Sequence, residues 1–369
     1  MKEHWITDAD RFFEALLVLT RAGLWERQPE NFGAIPATAE DWDCVLQLAR
    51  QQTVTGIAYR GLHYLPEPLM PPESLLVRWT AYADAVERTN RAMNNALASL
   101  TSMYRQCGLD PVIQKGQGVA RFYASPLLRE CGDIDIYFPS KQAWDTALAQ
   151  LRQRGISVMK MADKSVSYRW QGVEVEHHRH LFDLHNPFLQ GEAGSLEREH
   201  GFSSLTLETD PSVRISVPAP MLDLLLQNLH ILKHTLGWGI GLRQLCDMAR
   251  SCYVLHGRIC QEKMEILCRK LGLSKWSPLL HSFLIEHLGL PEKCLPYPSV
   301  ASSSDQLYEI IRRGGNFGHY VPGRKSGGQT WRHKMQTSHS FLRNIRFACR
   351  YAPKEAFWIT AGLLRGQLH

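Results

Sequence analysis

Two aspartates stand inside an apolar run at Asp133-Ile134-Asp135-Ile136, and few local patterns leave a chain so little freedom. Side chains two apart on a strand point the same way, so Asp133 and Asp135 share one face while Ile134 and Ile136 take the other. Two converging carboxylates repel unless a cation sits between them. Hard oxygen ligands suit Mg²⁺, which keeps several waters and also takes phosphate oxygens. Upstream lie a short apolar run at Val112-Ile113, the turn Lys115-Gly116-Gln117-Gly118, a helix expected from about Val119, and Arg129. Lys115 and the N–H groups around Gly116 and Gly118 are placed to meet phosphate, and Arg129 to neutralise a leaving pyrophosphate. The stretch Val112 to Pro139 reads as one half of a metal-dependent phosphate site.

A third carboxylate is expected from the segment that follows. Ser140 to Arg154 reads as a helix capped by Ser140 and ended at Gly155, and a short extended run follows at Ile156 to Met159. Ser165–Trp170 and Val173–His178 alternate on either side of Gln171-Gly172, the pattern of a hairpin with a two-residue turn. Glu174, Glu176 and His178 then share one face. The third carboxylate, as ligand or base, is then open between Glu174 and Glu176 on this face, with Asp183 further along the chain. The histidines His177, His178, His180 and His185 do not match a closed zinc site, and no cysteine lies near them. His178 is expected beside the metal site as a hydrogen-bond partner.

The rest of the chain is mostly helical in pattern. Apolar residues recur at helical spacing from Ala9 to Leu24, from Thr38 (a cap, with Asp41 three residues on) to Gln51, and from Glu73 to about Cys107. Pro220 is placed to open a helix that carries His230 and His234 on one face, which would line a nucleotide cleft. A second helix beyond Gly239 carries Arg243 and Asp247, four apart, as an expected helix pair. Pro291 to Ser304 reads as a linker. From Ile310 to the end, eleven Lys and Arg residues face a single acid, Glu355, although the whole chain carries only +6. Arg343, Arg346 and Arg350 would line one helix face there, suited to peripheral contact with a membrane or polyanion.

At 369 residues the chain is long for one core, and 44% hydrophobic with 21% charged residues is ordinary for a globular protein. The expected divisions are a helical region at 1–108, an α/β core at 109–217, a second helical region at 218–300 and a basic segment at 301–369. No apolar run is long enough to span a membrane. Nine cysteines, none spaced C-x-x-C, and the absence of a signal-like apolar core near Met1 point to reduced thiols in a cytoplasmic protein.

Gln114-Lys115-Gly116, Phe122-Tyr123, Pro126, Arg129 and Asp133-Ile134-Asp135, taken in order, resemble the signature of the uncharacterised nucleotidyltransferase family, within the polymerase-β-like superfamily. Val175-Glu176-His177-His178 is similar to its Glu-x-His strand. Leu229-His230, His234, Gly237-Trp238, Leu242-Arg243 and Asp247 are similar to its later helices. The likeness extends over roughly residues 40 to 255. The first turn has Lys-Gly where the superfamily at large has Gly-Ser, so the polymerases' triphosphate contacts do not transfer. The resemblance implies an α+β fold, a small mixed-sheet nucleotidyltransferase core flanked by helical N- and C-terminal regions. It also implies Mg²⁺-dependent transfer of a nucleoside monophosphate from an NTP to a hydroxyl or phosphate acceptor, in a family often encoded near bacterial polysaccharide or peptide-modification genes. Asp133, Asp135 and Glu176 would hold the metal, and Lys115, Gly116, Arg129, His230 and His234 would bind the nucleotide. A non-catalytic nucleotide-binding scaffold or sensor, or an RNA-directed transferase, would keep the same pocket.

Overall fold

The computed structural model describes residues 8–161, 165–182, 186–207, 210–237, 239–315 and 344–364. Its centre is a mixed sheet of seven strands: β1 (Val112–Ile113), β2 (Ile134–Tyr137), β3 (Met159–Lys160), β4 (Val166–Trp170), β5 (Val173–His178), β6 (Phe202–Leu207) and β7 (Asp210–Pro218). The spatial order is β3-β4-β5-β2-β1-β7-β6. β2 runs antiparallel to β1 and parallel to β5, so the Lys-Gly turn, the aspartates and Glu176 come from three neighbouring strands. Asp135 pairs with Glu176 and Tyr137 with His178 in the β2–β5 register.

Local sequence explains much of this. Gln171 and Gly172 both adopt positive φ, 49° and 81°, the twist that a two-residue hairpin turn needs. The long strand β7 and its partner β6 were not expected. The alternation Val213, Ile215, Val217 signals β7, whereas β6 holds only Leu205 and Leu207 beyond Phe202 to mark it. The helix expected from Val119 is a single turn, α5 (Gln117–Ala120), ended as the chain turns toward Pro126.

Before the sheet come α1 (Asp8–Trp25), α2 (Ala39–Gln51), α3 (Thr55–Leu62) and the 34-residue α4 (Glu73–Gln106). Thr38 Oγ1 caps α2 by accepting from the Asp41 N–H at 3.2 Å. Gly23 of α1 and Gly61 of α3 let two helix backbones touch: a Cβ on Gly61 would stand 2.1 Å from the Leu19 carbonyl oxygen. Within and after the sheet lie α6 (Lys141–Gln153), capped by Ser140 Oγ, and α7 (Gln190–His200). Then follow α8 (Pro220–Leu236), α9 (Leu242–Leu255), α10 (Gln261–Lys270), α11 (Trp276–Glu286), α12 (Asp305–Gly314), α13 (344–351) and α14 (Pro353–Leu364).

Two apolar cores result. Ile113, Ile134, Ile136, Val175 and Ile215 on one sheet face pack against Ala147 and Leu151 of α6 and the second half of α4. The other core joins the helices before and after the sheet, and Trp79 near the start of α4 belongs to it. The helical regions that flank the sheet in sequence therefore share one interior. Trp25 Nε1 donates to the Leu288 carbonyl at 2.6 Å, and Tyr308 donates to Glu14 at 2.8 Å.

The proline- and serine-rich stretch expected as a linker is packed. Cys294, Leu295 and Tyr297 are buried, and the Ser299 and Ala301 carbonyls accept from His281 and Ser282 of α11. In the basic segment, Arg312 pairs with Asp10 and Glu309, while Phe347, Ala348 and Ile359 are buried. Arg346 and Arg350 are exposed on α13; Arg343 and the rest of 316–343 lie outside the described residues. No helix among the described residues is long and apolar enough to cross a membrane. None of the nine cysteines is in a disulfide.

Candidate active site

The floor of the site is the sheet face opposite α4 and α6. Alternation along β2 sends Ile134 and Ile136 into the core and Asp135 the other way, and β5 likewise buries Val175 and His177 while turning Glu176 and His178 toward Asp135. Asp135, Glu176 and His178 each present a ligand atom within 4.8 Å of the others. His178 Nε2 donates to Asp135 Oδ1 at 2.6 Å and stands 3.9 Å from Glu176. Ser165 Oγ donates to Glu176 Oε1 at 2.7 Å and holds that carboxylate in place. Glu174, one alternation further out, is exposed and accepts from Ser167. Asp183 and His185 lie outside the described residues.

Asp133 sits just ahead of β2 in the same cleft. The negative charge of Asp135, and then burial, push its carboxyl up to about 6, with Lys115 pulling the other way. Two carboxylates that resist joint ionisation without a cation are what a divalent-metal site looks like electrostatically. Burial alone would pull His178 down, but its hydrogen bond to Asp135 and the nearby acids raise it above an ordinary histidine. His177, on the opposite face, is buried between Phe138 and Trp144 with neither ring nitrogen hydrogen-bonded, and burial keeps it neutral with a pKa of about 3.

The wall beside the carboxylates is the turn after β1. Lys115 Nζ lies 3.5 Å from Asp135 Oδ1 and 3.5 Å from His230 Nδ1. Gly116 has φ 51° and ψ −117°, and a Cβ there would meet the Asp133 carbonyl oxygen at 3.3 Å. Only glycine fits this bend without strain. Gln114, just before it, donates its amide to the His180 and Leu181 carbonyls, tying β1 to the segment beyond β5.

The roof comes from α8 and α9. His230 and His234 pack edge to face, centroids 4.4 Å apart, and both line the cleft with Gln227, Arg243 and Gln244. Burial, then Lys115, hold His230 well below the usual histidine range, so its imidazole is neutral. The cleft encloses about 220 Å³.

Arg129 and Asp247 are where the sequence reading changes most. Asp247 does not pair with Arg243 along α9. It accepts from Arg129 through two guanidinium nitrogens, Nε at 3.0 Å, and from the Tyr123 hydroxyl at 2.7 Å. Burial works against the Arg129 charge, and Asp247 more than offsets it. Arg243 instead donates to the Glu130 carbonyl at 3.0 Å. A local i, i+4 pairing loses to a buried bidentate one because the planar guanidinium fork matches a carboxylate there. Arg129 is on the cleft wall, but Asp247 fixes its orientation. Gln227, Gln244 and Gly132 also reach the cleft and were not anticipated. A glycine beside the first aspartate was the only one of these with a local cue.

The site is therefore a phosphate-sized cleft between a carboxylate-bearing sheet and two helices, with one lysine at its wall and a group able to hold a divalent cation. No curated protein and no solved structure matches the chain. A family model described as "Uncharacterised nucleotidyltransferase" matches residues 38–284, which take in the N-terminal helices from α2, the whole sheet and the roof. The chain belongs to this nucleotidyltransferase family, a membership that supports a nucleotidyl-transfer activity.

Proposed function

We propose that the protein transfers a nucleoside monophosphate from an NTP to an acceptor hydroxyl in a Mg²⁺-dependent reaction that releases pyrophosphate. The observation that carries this is the convergence of Asp133, Asp135 and Glu176 beside Lys115 and Gly116 in one cleft. The clustered donors, the carboxylates of Asp135 and Glu176 and the imidazole of His178, with Asp133 lining the same cleft, fit a divalent cation. Bound there, Mg²⁺ would neutralise charge on the transferring phosphoryl group. Asp133, Asp135 and Glu176 would hold it, and His178 orients Asp135 through its hydrogen bond.

Lys115 and the Gly116 N–H face the β- and γ-phosphates, and His230 and His234 form the opposite wall of the nucleotide cleft. Glu176 takes the proton of the attacking hydroxyl as its oxygen bonds to the α-phosphorus. The bond from that phosphorus to the bridging oxygen breaks, and pyrophosphate leaves with the electron pair. Arg129 acts as a positioning residue, fixing the segment that leads to Asp133 against Asp247.

The test is thermal stability with each NTP, with and without Mg²⁺, for wild type and Asp135→Asn, followed by pyrophosphate release. A ligand bound only to the folded state, at a hundred times its Kd, adds about 2.7 kcal/mol. The expected result is a Mg²⁺-dependent shift that Asp135→Asn removes. No shift with any NTP would refute the donor site. A shift without pyrophosphate release from any hydroxyl acceptor would turn the protein into a nucleotide-binding scaffold.

A further inference from the structure

Three features follow one another along β2. At its start, the Gly116 turn abuts Asp133. At its middle, Asp135 stands with Glu176 and His178. At its end, Tyr137 pairs in register with His178 and shares the face of Asp135. Tyr137 is also a wall of a second cavity, about 480 Å³, closed by Phe182, Phe202 and the Gly194–Arg198 side of α7. That volume suits a small-molecule ligand.

In-line displacement places the entering and leaving oxygens on opposite sides of phosphorus. With the leaving pyrophosphate held at the Lys115–Gly116 end of β2, the Tyr137 end is the side of the sheet face from which an in-line hydroxyl can approach. We infer that the cavity between the end of β2 and α7 is the acceptor subsite, and that it takes a neutral polyol, a saccharide ring being the best fit. This rests on the nucleotidyl-transfer reading above.

The chemistry of the walls selects that class. The Tyr137 hydroxyl donates to Glu197 Oε2 at 2.7 Å, which presents an acceptor carboxylate and a phenolic oxygen side by side to neighbouring hydroxyls. Half-buried Phe202 offers apolar surface for the C–H face of a ring, over the buried Phe182. The walls carry one acid, Glu197, beside the exposed Arg198, with His180 also at the rim, so they do not concentrate charge of one sign as an anionic acceptor with several charges would need. In the transfer itself one acceptor O–H oxygen bonds to the α-phosphorus, its proton passes to Glu176, and pyrophosphate departs.

Gly194 gives a clean probe. Gly194 lines the cavity, and a Cβ there meets only the end of the Arg198 side chain, at 3.4 Å, so Gly194→Phe adds bulk at the cavity wall with no backbone in the way of its Cβ. The full chain with Mg²⁺ and NTP is assayed for pyrophosphate release with glycerol, glucose, N-acetylglucosamine or N-acetylserine amide. At least one of the three polyols should raise release about tenfold in wild type, while Gly194→Phe keeps its Mg²⁺-dependent stabilisation by NTP and loses that stimulation. Glu197→Gln should raise the KM for the same polyol and leave NTP stabilisation unchanged. Stimulation that survives Gly194→Phe, or that arises with N-acetylserine amide alone, overturns the assignment while the donor site stands, as does NTP stabilisation with no polyol effect. No NTP stabilisation in wild type would instead refute the nucleotidyl-transfer reading beneath it.

Discussion

Asp247→Asn separates two roles for Arg129. If Arg129 is a phosphate contact, its charge is satisfied toward the cleft, and an isosteric amide at position 247 changes stability little. If it is fixed by Asp247, the change strands a guanidinium whose side chain is 5% exposed against a carboxylate 7% exposed. Breaking a buried pair by neutralising one partner costs about 3–5 kcal/mol. The amide oxygen can still accept from Tyr123, but its NH₂ faces a donor. Against a total stability of about 5–15 kcal/mol, a fifth or more of the fold's margin should go. Urea unfolding reads this as a large fall in midpoint at unchanged m. Arg129→Met/Asp247→Leu, with Tyr123→Phe added so that no hydroxyl is stranded, should recover most of the loss, a coupling of about 3 kcal/mol. Asp247→Asn within about 0.5 kcal/mol of wild type would refute the reasoning and return Arg129 to the phosphates.

Two further outcomes test other parts of the structure. Gly61→Ala drives a methyl into the Leu19 carbonyl at a helix contact with no room to yield, so it should destabilise by more than the ordinary ~1 kcal/mol of a point substitution, measured by the same urea titration. His281 is buried, donates from Nδ1 to the Ser299 carbonyl, and burial lowers its pKa to about 4. Unfolded, it titrates near 6.5, so the unfolded state binds the extra proton between those values and stability, complete above pH 6.5, falls as pH drops toward 4. The loss is up to about 3 kcal/mol from this residue, and in His281→Asn the slope of stability against pH in that window should fall by about one proton. An unchanged slope would mean that the imidazole is protonated in the folded chain.

The parts of this molecule that were legible in sequence are those decided by neighbours. Thr38 and Ser140 cap their helices because a cap needs only the next three residues. Gln171-Gly172 sets the β4–β5 register, and alternation puts Glu176 and His178 on one face of β5; their approach to Asp135 then depends on the separate parallel pairing of β5 with β2. The strands and alternation that bring Lys115, Asp133, Asp135 and Glu176 to one cleft were thus readable in part from about sixty residues of chain. The roof was readable only as helices. Which of their side chains reach Arg129 or Tyr123 depends on a packing of elements over 100 residues apart, and Asp247 lies 118 residues from Arg129. β6 was missed because its serines and threonine carry little apolar signal, and it is held through pairing with β7. Pro291–Ser304 was read as a linker because proline and serine mark loops in general, whereas here the Ser299 and Ala301 carbonyls accept from α11 and the stretch is packed.

The network of Tyr123, Arg129 and Asp247 joins these two halves. Tyr123 and Arg129 belong to the segment between the phosphate-side turn and the aspartates, and Asp247 belongs to the roof. Arg121 of the same segment pairs with Asp223 of α8 at 2.7 Å, and Arg250 of α9 donates to the Phe122 carbonyl at 2.8 Å. Floor and roof are thus fastened by buried charge on both helices, close to the groups that would do the chemistry. Catalysis of phosphoryl transfer depends mostly on positioning, so the width of the cleft is a functional quantity. Here the contacts that set that width are buried charge pairs, in which the loss of one partner strands the other. Substitutions in this network should therefore lower nucleotide affinity and unfolding free energy together, whereas Asp135→Asn should lower the first alone.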